Sequence, residues 1–224
     1  MLNFFKEVFK KGELRRKVVF TLGILFVFRL GAGIVIPYID TSAITSAATS
    51  SGIFGIMNML GGGTLEKFSL FSLGVSPYIT SSIIIELLSM DVVPALTQWN
   101  KDGNTGKKKK DKVTRVLTLA LAIIQGGSLT YAFDKGYSIL ASSSIWTYVY
   151  VVVVMAAGSM FTMWLGDQIT IKGVGNGTSL LIFTGIVANL PNSFISSFKS
   201  MVTFSSSYKT ATSLSWYILF VLVY

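Results

Sequence analysis

The run from Val18 to Pro37 is apolar and long enough to cross a bilayer, and a knot of positive charge stands directly before it. Lys10, Lys11, Arg15, Arg16 and Lys17 end where Val18 begins. A hydrocarbon core about 30 Å thick needs about 20 apolar helical residues. Basic residues beside a first span stay on the cytoplasmic side. The sequence therefore predicts an integral membrane protein with its N-terminus inside.

A secretory signal is the competing reading of such an N-terminus. The apolar run is longer than the roughly 7–15 residues of a signal core, and no small-residue cleavage pattern follows Val35 and Pro37. The segment is read as a retained span. The rest of the chain agrees, with 51% hydrophobic and only 13% charged residues. There is no cysteine, so no disulfide framework or thiolate metal site is available. There is no histidine, which removes the commonest general base and metal ligand.

Further apolar stretches run from about Phe71 to Val93, from Val113 to Phe133 and from Ile145 to Leu165. A shorter one covers Thr178 to Leu190, and another begins at Leu214 and reaches Tyr224. Eleven residues rise only about 16 Å, so the last piece is too short to span. The expectation is a fragment of something longer. From an inside start the connections alternate sides. About 14 of the 19 Lys and Arg residues then fall inside, leaving Lys67, Lys135, Lys199 and Lys209 outside. That asymmetry satisfies the positive-inside rule, and it outweighs the nucleic-acid reading of a net charge of +9. It places Lys107–Lys110 in a cytoplasmic loop, either a topology signal beside anionic lipid or a docking surface for a cytoplasmic partner.

The connection after the first span is unusual. Thr41 to Ser51 is polar and small; Gly52 to Leu60 is apolar but too short to span; Gly61, Gly62 and Gly63 then break it. This reads as a re-entrant, plug-like half-helix, since irregular backbone at membrane depth needs protein or water around it. The alternative is a helix lying at the interface. Gly74 and Pro77 predict an irregular start to the second span. Charges inside the bilayer are rare and functional by default. Arg29 snorkels outward or bonds carbonyls of the broken neighbour. Glu86 is expected off-centre and unpaired, and Asp167 beside Lys172. No carboxylate pair or base-activated nucleophile suggests an enzyme, and nothing calls for a cofactor or metal.

The string NMLGGGTLEKFSLFSLGVSPYITSSIIIELL (Asn58 to Leu88) resembles the plug and second span of the SecY family, the protein-conducting channels of the Sec translocon. FRLGAGIVIPYID (Phe28 to Asp40), MFTMWLGDQIT (Met160 to Thr170) and GVGNGTSLLIF (Gly173 to Phe183) resemble it as well, in the same order. The resemblance implies an all-α polytopic membrane protein of the SecY N-terminal-half type. It would comprise five transmembrane helices, a re-entrant plug helix and a truncated sixth span. The implied layout is a basic cytoplasmic N-terminus over 1–17, the five-span half over 18–193 with a plug at about 52–65, an external hinge over 194–213, and the start of the sixth span over 214–224. Pore-ring residues would be Val75, Ile79, Ile182 and Thr178. Thr178, one turn before Ile182, stands where the family usually has an aliphatic side chain. The plug would carry Ile53, Phe54, Ile56, Met57, Asn58, Met59 and Leu60.

The implied function is passage of unfolded polypeptides across, and of membrane proteins into, the bacterial cytoplasmic membrane. The implied partners are lipid, signal sequences, SecE, SecG, SecA and the ribosome, without direct nucleic-acid binding. The fragment alone is expected to self-associate and not to conduct protein. The physics of the residues is compatible: Val75 and Ile79 share a helix face, and aliphatic constrictions gate by dewetting. The rival reading is a secondary transporter or ion channel built on broken helices. A non-channel insertase or scaffold is a further rival, whose groove should be polar or charged.

Overall fold

The computed structural model describes residues 12–39, 63–65, 67–90, 92–140 and 144–188. These residues fold into α1 (Gly12–Ala32), α2 (Ser76–Leu88), α3 (Pro94–Lys101), α4 (Gly103–Tyr137), α5 (Ile145–Lys172) and α6 (Gly177–Ala188). Strand-like pairing among them is confined to two isolated antiparallel bridges, Val35 with Ser69 and Ile39 with Leu140. The expected plug residues from Ile53 to Leu60, the hinge and the sixth segment lie outside the described residues.

Among the described residues, α4 and α5 are the helices long and apolar enough to cross a membrane. Their 35 and 28 residues correspond to about 52 Å and 42 Å at 1.5 Å per residue. Both exceed the expected spans, Val113 to Phe133 and Ile145 to Leu165. Most of the excess of α4 lies at its N-terminal end, where Lys107–Lys110 is helical. The expected cytoplasmic loop is thus a helix extension. Lysine is a good helix former, and a helix needs no apolar surroundings to continue past the headgroups.

The first two spans depart from expectation in the other direction. α1 ends at Ala32, and the chain from Gly33 to Ile39 continues as turns and bridges. Ile36 donates its N–H to the Phe68 carbonyl at 3.1 Å, and Leu70 donates to the Ile34 carbonyl at 2.8 Å. The stretch expected to span from Phe71 to Val93 contains only the 13-residue α2, about 20 Å long. Residues 70–75 form consecutive turns, with Gly74 at φ +52°. Pro77 sits in the first turn of α2, where its missing N–H costs nothing and its fixed φ favours the helix.

α5 is the central column. Val151, Met155, Ser159, Thr162, Gly166 and Ile169 recur at three- and four-residue steps and are buried, so they form one continuous face. Small residues on that face let neighbouring backbone come close, which is how helices associate in lipid. At Gly158 a Cβ atom would fall on the Leu70 carbonyl, and at Gly177 one would fall on the Gly166 carbonyl. The first contact seats the turns before α2 against α5, and the second seats the start of α6.

Two apolar clusters flank this column. One gathers Ile36, Phe68, Leu73, Phe133, Ile139, Val151 and Met155, with Phe68 and Phe133 edge to face at 5.4 Å. The other gathers Phe28, Phe71, Val75, Leu165, Ile169 and Leu181. Phe71 stacks on Phe28 at 5.5 Å and lies 6.0 Å from Phe161. A Cβ at Gly31 would strike the Phe71 ring, so this glycine lets α1 lie flat on that ring.

Candidate functional site

The turns before α2 present their side chains inward because both of their ends are anchored. Ser72 donates its hydroxyl to the Ser69 carbonyl at 2.5 Å, and Ser159 of α5 donates to the Gly74 carbonyl at 3.1 Å. The Gly74 carbonyl stands just ahead of the first turn of α2, so Ser159 satisfies a group that the helix leaves outside its own ladder. Val75 is the last residue before the helix and is 7% exposed. Ile79 follows one turn later, and its N–H bonds the Val75 carbonyl at 3.0 Å.

Val75 and Ile79 open onto a cleft of about 200 Å³. Phe28 of α1, Leu65, Leu73, Leu129 of α4, and Leu181 and Ile182 of α6 complete its apolar wall. Ser72, Ser76 and Gln125 are its polar side chains, and no charged side chain among the described residues lines it. A wall so largely apolar favours dewetting.

Val75, Ile79 and Ile182 therefore meet on one cleft, although more than 100 residues separate the first from the last. Thr178 is not part of this lining. Its backbone nitrogen and hydroxyl face Gly166 of α5, beside the close approach of Gly177 to the Gly166 carbonyl. Phe28, Leu73, Gln125, Leu129 and Leu181 belong to the cleft and were not among the residues expected from sequence. Gln125 carried a readable signal, as a polar side chain within the Val113 to Phe133 run. The apolar residues carried none, because leucine and phenylalanine are the ordinary content of any span.

Charged side chains gather towards the basic N-terminal end of α4. Lys110 bonds Glu86 at 2.8 Å, and Arg115 bonds Asp167 at 2.7 Å. Both pairings correct the expectation from sequence, which left Glu86 unpaired and set Asp167 beside Lys172. The extension of α4 before Val113 brings Lys110 alongside α2, while Arg115, just inside the expected span, lies alongside α5. At the other end of α4, Tyr148 donates a hydrogen bond to Asp134, which also accepts the Leu140 N–H at 3.3 Å.

A family model described as SecY matches residues 69–224. The protein translocase subunit SecY 1 of Lactobacillus kefiranofaciens is 43% identical over 209 residues, covering 92% of this chain and 48% of that protein. The protein translocase subunit SecY of Bacillus subtilis is 42% identical over 193 residues, covering 85% of this chain and 44% of its own. Among solved structures, Sec61 in the canine ribosome–channel complex from the endoplasmic reticulum is similar with a TM-score of 0.58 and 16% identity. That match covers 83% of this chain and 41% of the other. A second structure, of a protein-conducting channel, matches with the same TM-score and identity. The solved structures share the fold. The chain spans about half the length of the curated relatives it matches.

Proposed function

Because the chain belongs to the SecY family, we propose that it supplies the N-terminal half of a protein-conducting channel in a bacterial cytoplasmic membrane. Its substrates are unfolded secretory polypeptides and membrane proteins with their signal sequences. The convergence of Val75, Ile79 and Ile182 on one uncharged aliphatic cleft carries the proposal. In the assembled channel these side chains form half of a constriction that seals around a moving chain and otherwise excludes ions. Thr178 stands beside that ring rather than in it. The stretch at about 52–65 serves as the plug, 194–213 as the hinge between halves, and 214–224 begins the sixth span. SecE, SecG, SecA and the ribosome are the partners of the whole assembly. A transporter site would need coordinating carboxylates or a convergent set of polar groups near mid-membrane; among the described residues the cleft lining holds no carboxylate, and its polar side chains are Ser72, Ser76 and Gln125.

The test replaces Ile79 and Ile182 together with glycine in the assembled channel. Ion conductance in planar bilayers is expected to rise clearly above the unmodified channel, with polypeptide translocation partly kept. Background conductance in the double variant rejects the constriction. Saturable uptake of a small solute would favour the transporter instead.

The proposed topology has five spans with the N-terminus and the Lys107–Lys110 helix extension in the cytoplasm. The charge asymmetry supports it. The chain has no cysteine, so single cysteines at Lys109 and Ser142 report orientation cleanly. An impermeant thiol reagent applied to intact cells should label position 142 and spare position 109. The reverse pattern overturns the orientation.

A further inference from the structure

Lys107, Lys108 and Lys109 are exposed, and Lys110 is not. Its side chain is 18% exposed and its ammonium reaches three side chains on two neighbouring helices. It donates to Glu86 of α2 at 2.8 Å, to the hydroxyl of Ser89 just past α2 at 3.3 Å, and to the side-chain oxygen of Asn100 on α3 at 3.4 Å. Asn100 in turn donates to the Ser89 carbonyl at 3.2 Å. An ammonium has three donors, so Lys110 uses its full capacity on this cluster.

We infer that Lys110 is a positioning residue that fixes the roll of α2 and thereby the placement of Ile79 in the cleft. This rests on the channel reading of the cleft. Ile79 and Glu86 are seven residues apart, two helical turns, and so lie on nearly the same face. A roll that carries Glu86 away from Lys110 carries Ile79 across the cleft through the same angle. The helix is built to roll. It is short, and it follows a run of turns in which Gly74 holds a positive φ. Its lateral polar attachments to α4 are the buried Ser81–Thr118 hydroxyl pair at 2.6 Å and the Lys110 cluster. The hydroxyl pair holds the middle of the helix, and the Lys110 cluster holds its C-terminal end against the same neighbour. Through Asn100 it also ties α3, an amphipathic helix that buries only Leu96, to the orientation of Ile79.

The test places spin labels at Ile83 on α2 and Val153 on α5, both exposed, in the chain reconstituted in lipid nanodiscs. With side chains reaching about 5–6 Å from the helix axis, a roll of about 30° moves them by about 3 Å. Lys110→Met is expected to shift or broaden the inter-label distance on that scale. Glu86→Gln should do the same, and because the side chain at position 86 is 58% exposed, the near-isosteric change leaves no cavity there. Lys110→Arg, and the exchange of charges in Glu86→Lys with Lys110→Glu, should restore the original distance. An unshifted distance in both Lys110→Met and Glu86→Gln overturns the inference. A shifted distance that the charge exchange fails to restore overturns it as well. Conductance of the assembled channel separates this from the channel reading. A shift without added ion leak keeps Lys110 as the positioning residue and counts against the cleft as the constriction.

Discussion

Gly158→Leu is expected to destabilise the fold by about 3 kcal/mol or more, the upper end of overpacking costs. A Cβ at this position falls on the Leu70 carbonyl, and backbone cannot step aside as a flexible side chain can. The displaced turns carry Ser72, Gly74 and Val75, so the damage passes straight to the cleft. The Ser159 bond to the Gly74 carbonyl, one residue along, is lost in the same movement. Gly23→Leu is the control, because nothing lies within 4 Å of a Cβ there. Thermal unfolding in a mild detergent should separate the two variants clearly. Equal midpoints would mean that the turns before α2 are not seated on α5.

Phe71→Ala attacks the same region from the opposite direction. The ring is 1% exposed and lies between Phe28 of α1 and Phe161 of α5. Truncating a buried phenylalanine costs about 3–5 kcal/mol in soluble cores. The lower end, about 3 kcal/mol, is expected here, since lipid offers no hydrophobic drive between helices and the loss is one of packing. Phe71→Leu should recover part of the loss. Gly31→Ala combined with Phe71→Ala should cost less than the sum of the single changes, because Phe71 is the group that a Cβ at Gly31 strikes. Additive costs in that double-mutant cycle would remove Phe71 as the link between α1 and α5.

The long apolar helices were legible because hydropathy is a property of the chain itself. The Ile145 to Leu165 run anticipated α5, and Thr178 to Leu190 anticipated the start of α6 within one residue. Where a span ends was harder to read. The Lys107–Lys110 run broke the hydropathy of the chain, yet a charged run says nothing about whether the helix continues through it. The reverse occurred at Phe71 to Val93. Apolar content alone does not distinguish a helix from apolar turns buried against a neighbour, and Phe71, Leu73 and Val75 are buried in such turns. The breakers Gly74 and Pro77 were the signal that the helix starts late.

The sequence by itself determined that this chain lives in a membrane, which segments are apolar, which residues break them and which family it resembles. Each of these is a local property or a string. Only the tertiary structure decided which of many equivalent aliphatic residues meet. Val75 and Ile79 were one turn apart on any reading, but Ile182 joins them only because Gly166 and Gly177 let α6 close on α5. The same closeness turns Thr178 towards Gly166 and out of the cleft. The ion pairs follow the same rule. Glu86 and Asp167 find Lys110 and Arg115 across helices, 24 and 52 residues away. Pairing of this kind depends on how the helices are laid side by side, and the chain encodes that through small residues and close backbone contacts whose partners are invisible until it is folded.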